Sequence, residues 1–161
     1  MLKKNYFKTP VLSLLILFLF GLTSMACSHY NDLGYGDLQV LQEKAFNTSP
    51  GKNFILKASS GDVMISTSDS PDVYIKILGN ERARKKVDFH FDNSSNGVTV
   101  EADVRSGWNF FSFGSGIKLR FEIQIPKNYN ADVSSRGGDI RLSDLNGEIV
   151  LRSSGGDIIV K

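Results

Sequence analysis

The sequence predicts an all-β domain, a β-solenoid or β-roll-like stack of short strands with hairpins, preceded by a signal peptide. Three observations predict it. Apolar and polar residues alternate with a period of two through most of the chain after residue 46. A Ser-x-Gly-Gly-Asp-Ile unit recurs at a fixed offset near the C-terminus. The N-terminus carries basic residues, then an apolar run, then small residues before the single cysteine. With 161 residues in all, the chain has room for one modest domain.

The first 26 residues are expected to be a signal peptide. Lys3, Lys4 and Lys8 precede the apolar run 11–22, which is 12 residues long. A spanning helix needs about 20 apolar residues, so the run suits the core of an export signal. Leu22-Thr23-Ser24-Met25-Ala26-Cys27 resembles a bacterial lipobox, in which the cysteine thiol is diacylated and the chain is cut just before it. Ser24 stands where that pattern usually has a large aliphatic residue, and Ser24-x-Ala26 also satisfies an ordinary signal peptidase. A cysteine placed at the processing site favours the lipoprotein reading, with Cys27 as the lipid attachment residue. Two acyl chains would hold the protein stably on a membrane. Ser28, rather than Asp, follows the cysteine, which leans to the outer membrane of a diderm cell.

Charge narrows the partners. The chain has 19 basic and 17 acidic residues, and without the first 26 the count becomes 16 and 17. A near-neutral mature protein lacks the dense basic face that nucleic-acid binding requires.

Residues 27–45 show no sustained period and are read as a lipid-anchored tether, with the all-β domain spanning 46–161. Asn47-Thr48-Ser49-Pro50-Gly51 is a turn by its chemistry. Val73, Ile75 and Ile77 alternate with polar neighbours, as do Val87, Phe89 and Phe91, and Val98, Val100, Ala102 and Val104. Ile117, Leu119, Phe121, Ile123 and Ile125 make the clearest case. Successive strand side chains face opposite ways, so each run has one core face and one wet face. Residues 80–86 suit a short helical turn, and Asn93-Ser94-Ser95-Asn96-Gly97 a hairpin connection.

Ser135-Arg136-Gly137-Gly138-Asp139-Ile140 returns 18 residues later as Ser153-Ser154-Gly155-Gly156-Asp157-Ile158, and Ser59-Ser60-Gly61-Asp62-Val63 is a looser, earlier copy. One unit reads as strand, turn, strand, turn, with Ile140, Leu142, Leu145, Ile149 and Leu151 inward. So small a unit cannot bury that set alone, and stacking the next unit on it makes a continuous core. The final unit stops where the previous one continued to its second strand. The last strand is therefore expected to be an edge, open to self-association, and the domain C-terminally incomplete.

These pieces together resemble the bacterial putative-adhesin family of envelope proteins. Phe46, Pro50-Gly51, Ser60-Gly61-Asp62-Val63, Phe121-Glu122-Ile123-Gln124-Ile125-Pro126-Lys127 and the two Ser-x-Gly-Gly-Asp-Ile units carry the resemblance, over residues 46–161. It implies an all-β, solenoid-like domain at the cell envelope and no established biochemical activity.

Two features are candidate sites. Trp108, Phe110, Phe111 and Phe113 lie within six residues bracketed by glycines. Such a cluster suits a tip that contacts a partner or membrane, and equally a loop that folds back to cap the core. Asp139 and Asp157, in Gly-Gly-Asp turns, are weak candidates for calcium. The nine-residue period of calcium-binding β-rolls is absent, so the expected metal content is none, and each Asp is read as a turn residue. Residues 82–86 read as a solvated basic turn, with anionic lipid or cell wall as the other reading. His29 and His90 are too few and too distant to make a metal site.

No nucleophile elbow, zinc spacing or phosphate-binding loop is present, so neither an enzyme nor a cofactor is expected. The expected protein is an exported, lipid-anchored envelope protein that binds or scaffolds, with a protein or glycan partner. The rival readings are an envelope-stress sensor contacting a membrane partner, and a carbohydrate-binding or hydrolytic β-helix.

Overall fold

Alternation becomes two sheets facing one another. The computed structural model describes residues 38–105 and 116–161. They belong to a unit spanning Gly34–Lys161; residues 1–33 form a separate unit that lies outside the described residues. The strands are β1 (Gln39–Phe46), β2 (Asn53–Ala58), β3 (Asp62–Ser68), β4 (Val73–Gly79), β5 (Val87–Ser94), β6 (Gly97–Val104), β7 (Leu119–Pro126), β8 (Asn130–Ser135), β9 (Ile140–Leu142), β10 (Ile149–Ser153) and β11 (Ile158–Val160). A short helix, α1 (Glu81–Lys86), the only one among the described residues, joins β4 to β5.

One sheet runs β1-β4-β7-β3-β9-β11 and the other β10-β8-β2-β6-β5. The parallel pairs within them define four coils, each contributing one strand to each sheet: β6/β7, β2/β3, β8/β9 and β10/β11. The β2/β3 coil comes first in the chain but sits between β6/β7 and β8/β9. Antiparallel strands flank the β6/β7 coil, with β4 then β1 beyond β7, and β5 beyond β6. The expected β-solenoid is thus met as a solenoid-like stack whose flank is antiparallel.

Inward side chains line up in columns across the coils. Ile77, Phe121, Val63 and Ile140 share one row of the first sheet, and Val98, Phe54 and Ala131 one row of the second; all are buried. The alternating runs read from the sequence supply this core. Ile158 and Val160 occupy the same inward positions on β11, yet stay 44% and 52% exposed, because no described strand stacks beyond them.

The first strand corrects the tether boundary. Residues 39–45, expected as tether, join Phe46 in β1 against β4, from Gln39 opposite Gly79 to Phe46 opposite Val73. A register shift between Val40 and Gln42 breaks the period of two. The edge position leaves only Leu41 and Phe46 packed on the core. Both effects erase the signal that alternation gives elsewhere.

Candidate functional site

The corners of the coils explain the repeat. Asp139 N–H donates to Asp62 Oδ1, and Asp157 N–H donates to Asp139 Oδ1, each at 3.0 Å. Ser135 Oγ donates to Gly61 O at 3.2 Å, and Ser153 Oγ to Gly138 O at the same distance. Backbone bonds complete the stack, with Gly61 N–H to Gly137 O and Gly138 N–H to Gly155 O, both 2.8 Å. The looser copy at residues 59–63 is therefore the first of three stacked corners. Asp62 and Asp139, and Ser135 and Ser153, thus satisfy backbone groups of the neighbouring unit that stacking would otherwise leave without partners.

This arrangement places the two calcium candidates. Asp139 is committed on both oxygens, Oδ1 to Asp157 and Oδ2 to Arg141 at 2.8 Å. Asp157 is exposed on the outermost described coil. Among the described residues, no group of three or more His, Cys, Asp or Glu could hold a metal ion. Asp62, Asp139 and Asp157 stack like charges in one column, and Arg141 pairs with Asp139 at 2.8 Å to offset this; Arg152 pairs with Asp132 at 2.7 Å.

Trp108, Phe110, Phe111 and Phe113 lie outside the described residues, as does Cys27. The residues that bracket the aromatic stretch are described. In chain order it lies between β6 and β7, as the Ser-x-Gly-Asp segments lie between the two strands of β2/β3, β8/β9 and β10/β11. Its preceding end is fixed by Arg105, whose N–H donates to Lys86 O at 2.8 Å and whose guanidinium grips both oxygens of Asp88. Its following end is fixed by Asn80, which donates from Nδ2 to Gly116 O at 2.7 Å and accepts from Lys118 N–H at 3.3 Å. Asn80 also caps α1, accepting from Ala83 N–H at 2.9 Å. The Arg105 guanidinium holds the Asp88 carboxyl below the usual carboxylate range.

The second sheet carries a polar groove on its outer face, about 420 Å³ in volume. Register sets Glu101, Lys57, Ser134 and Arg152 side by side on β6, β2, β8 and β10. The next outward positions are Asp103, Ser59, Arg136 and Ser154, and all eight line the groove. Lys57 Nζ meets Glu101 at 2.9 Å, and Ser59 Oγ donates to Asp103 at 3.2 Å. Their mutual hydrogen bond raises the Lys57 pKa and lowers that of Glu101, so both stay ionised near neutrality. Arg136 is exposed and makes no ion pair among the described residues. The groove offers fixed charges, hydroxyls and, among the described residues, one guanidinium without an ion pair.

Sequence reasoning did not find this groove. Its residues come from four strands far apart in the chain, and each alone is an ordinary wet-face position. Only the coil order makes them neighbours. The one available signal was the serine that closes β8 and β10, where Ser135 recurs as Ser153 with the 18-residue repeat. Tyr129 was also missed. It is fully buried, with its hydroxyl bonded to Thr48 Oγ1, which in turn donates to Pro71 O at 2.8 Å.

No curated protein sequence matches the chain. Among solved structures it is similar to a putative cell adhesion protein from Clostridium sporogenes, with a TM-score of 0.51 and 10% identity, over 73% of this chain and 59% of that one. A putative adhesin from Parabacteroides merdae gives a TM-score of 0.42 and 15% identity, over 74% of this chain and 45% of that one. The chain spans less than two thirds of either structure, and the first likeness bears on the fold alone. The model of the Toastrack DUF4097 family matches residues 52–161, from the threshold of β2 through β11, and the chain belongs to that family.

Proposed function

We propose that this protein is an exported envelope lipoprotein, anchored through Cys27, whose solenoid-like domain is a non-catalytic binding or scaffolding module. The observation that carries the binding role is the groove, where four parallel strands hold matched charges and serines beside Arg136. Strand backbones fix these side chains at regular spacing, which preorganises them for a protein or glycan surface. The names of the structural neighbours, which refer to adhesion, agree with an extracellular or envelope site of action.

Full-length wild type and Arg136→Glu, purified in lipidated form, are added to envelopes from cells lacking the protein. Arg136 is exposed and makes no ion pair among the described residues, so the variant is expected to keep its melting temperature and lose at least half of its saturable binding. Unchanged binding would remove the groove from the account. Metabolic labelling with a fatty-acid analogue tests the anchor separately: label is expected on wild type and not on Cys27→Ala.

A further inference from the structure

Three chain segments meet at one end of the strands. The first is α1, with Arg82, Arg84, Lys85 and Lys86 all exposed. The second is Arg105, bonded through its N–H to Lys86 O and through its side chain to Lys85 O. The third is Lys118, whose backbone N–H and C=O both bond to Asn80, the residue that caps α1. The acids paired into this cluster are Glu81, with Arg84 and Lys85, and Asp88, with Arg105. Lys86 and Lys118 make no ion pair among the described residues. Asp103 also lies opposite Asp88, so six cations stand against three acids and the cluster is net cationic, in a domain that is close to neutral as a whole.

The chain also enters the sheet here. Gln39, the first residue of β1, lies opposite Gly79, immediately before Asn80. The segment from Cys27 to Gln39 reaches at most roughly 40 Å when extended. We infer that the cluster of α1, Arg105 and Lys118 is a docking surface for anionic lipid headgroups; the corners with Asp62, Asp139 and Asp157 close the other coils at the same end, so it is the α1 flank of that end that is seated on the membrane. This rests on the lipid-anchor reading for its biological setting, since an anchor at Cys27 would confine the cluster to the bilayer surface. The charge complementarity is independent of that anchor. Clustered Lys and Arg held against an anionic leaflet gain affinity that fades with salt, and a basic patch beside a lipid is a recognised paired signal.

The test uses the full chain carrying Cys27→Ala, so that no lipid masks the effect, and measures partition into vesicles of phosphatidylcholine alone or with phosphatidylglycerol. The N-terminal segment is common to all variants. Lys86→Glu/Lys118→Glu is expected to lower the anionic-over-neutral partition ratio at least about tenfold. Lys52→Glu/Lys161→Glu makes the same charge change at the opposite end of the strands and is expected to leave the ratio within about twofold. Raised salt should abolish the preference. Melting curves check folding, and if the first variant is destabilised, Lys86→Gln/Lys118→Gln replaces it, with a smaller loss in the same direction. The inference is overturned by a wild-type ratio near unity, by equal loss in the two reversals, or by an unchanged ratio in the first. It is also overturned if a cell-wall polyanion binds the cluster while vesicles do not. Loss of fatty-acid labelling alone would sink the anchor and leave this result standing.

Discussion

At Gly138 the backbone φ is +104°, and a Cβ built there would lie 2.4 Å from Gly61 O, on the backbone of the coil beneath. Neither strain can relax without separating the coils. Gly137, one residue earlier, has no atom within 4 Å of a built Cβ and no positive φ. The first copy of the unit has Ser60 at that place, which agrees with the difference. Gly138→Ala is expected to cost about 2–4 kcal/mol, combining left-handed strain with a backbone clash. Gly137→Ala is expected to be neutral or stabilising by up to about 1 kcal/mol. Urea midpoints of the two variants check the contrast; equal effects would refute the corner geometry. The same corner argues against calcium. Both Asp139 oxygens already have partners, so thermal melts in millimolar calcium and in chelator should coincide. A ligand bound only by the folded state would raise the melt, and such a shift would put Asp139 or Asp157 back as ligands. The Gly-Gly-Asp spelling was legible as a turn. That its aspartates bond across coils was not, because the partner of each lies in another copy.

Among the elements, α1 is the joint of the candidate membrane end. Asn80 caps it, and the Asp88–Arg105 pair holds the chain leaving β6 against the start of β5. Because Arg105 depresses the Asp88 pKa, the pair's contribution is present above the ordinary carboxylate range and is lost as pH falls through the lowered value. The Asp88 carboxyl carbon, followed by NMR, is expected to titrate with a midpoint below 3.8, the ordinary value. A midpoint at or above it would mean that the grip does not form in solution. Elements buried on one face were readable. β4, β6 and β7 follow their alternation, and α1 and the β5–β6 hairpin fall where Asn80 and Asn96-Gly97 place them. β1 was not readable, since a bulged edge strand buries too little to impose a period. Residues 27–37 and the aromatic stretch at 106–115 lie outside the described residues, so their readings stay expectations.

Across the whole molecule, the order of the coils creates the groove. The repeat showed that units stack, and the 18-residue offset correctly joins β9 to β11 and β8 to β10. It could not show that the β2/β3 coil, separated from β8/β9 by the whole of β4 to β7, is nevertheless their neighbour. Apolar columns fix that choice. Phe54 and Leu56 lie between Val98 and Val100 on one side and Ala131 and Val133 on the other, all buried. Nothing in a single strand's pattern specifies which strand comes next. The groove, and with it Arg136 as a recognition residue, depends on this order being right. Cysteine pairs in a Cys27→Ser background test it most directly. Lys57 and Ser134 are cross-strand neighbours on the outer face, whereas Glu101 and Ser134 are separated by the β2 strand that carries Lys57. Two strand spacings come to roughly 10 Å, beyond the reach of a disulfide. Under mild oxidation, Lys57→Cys/Ser134→Cys is expected to cross-link and Glu101→Cys/Ser134→Cys is not. A cross-link in the second pair without one in the first would mean that the coils stack in chain order, and would contradict the account.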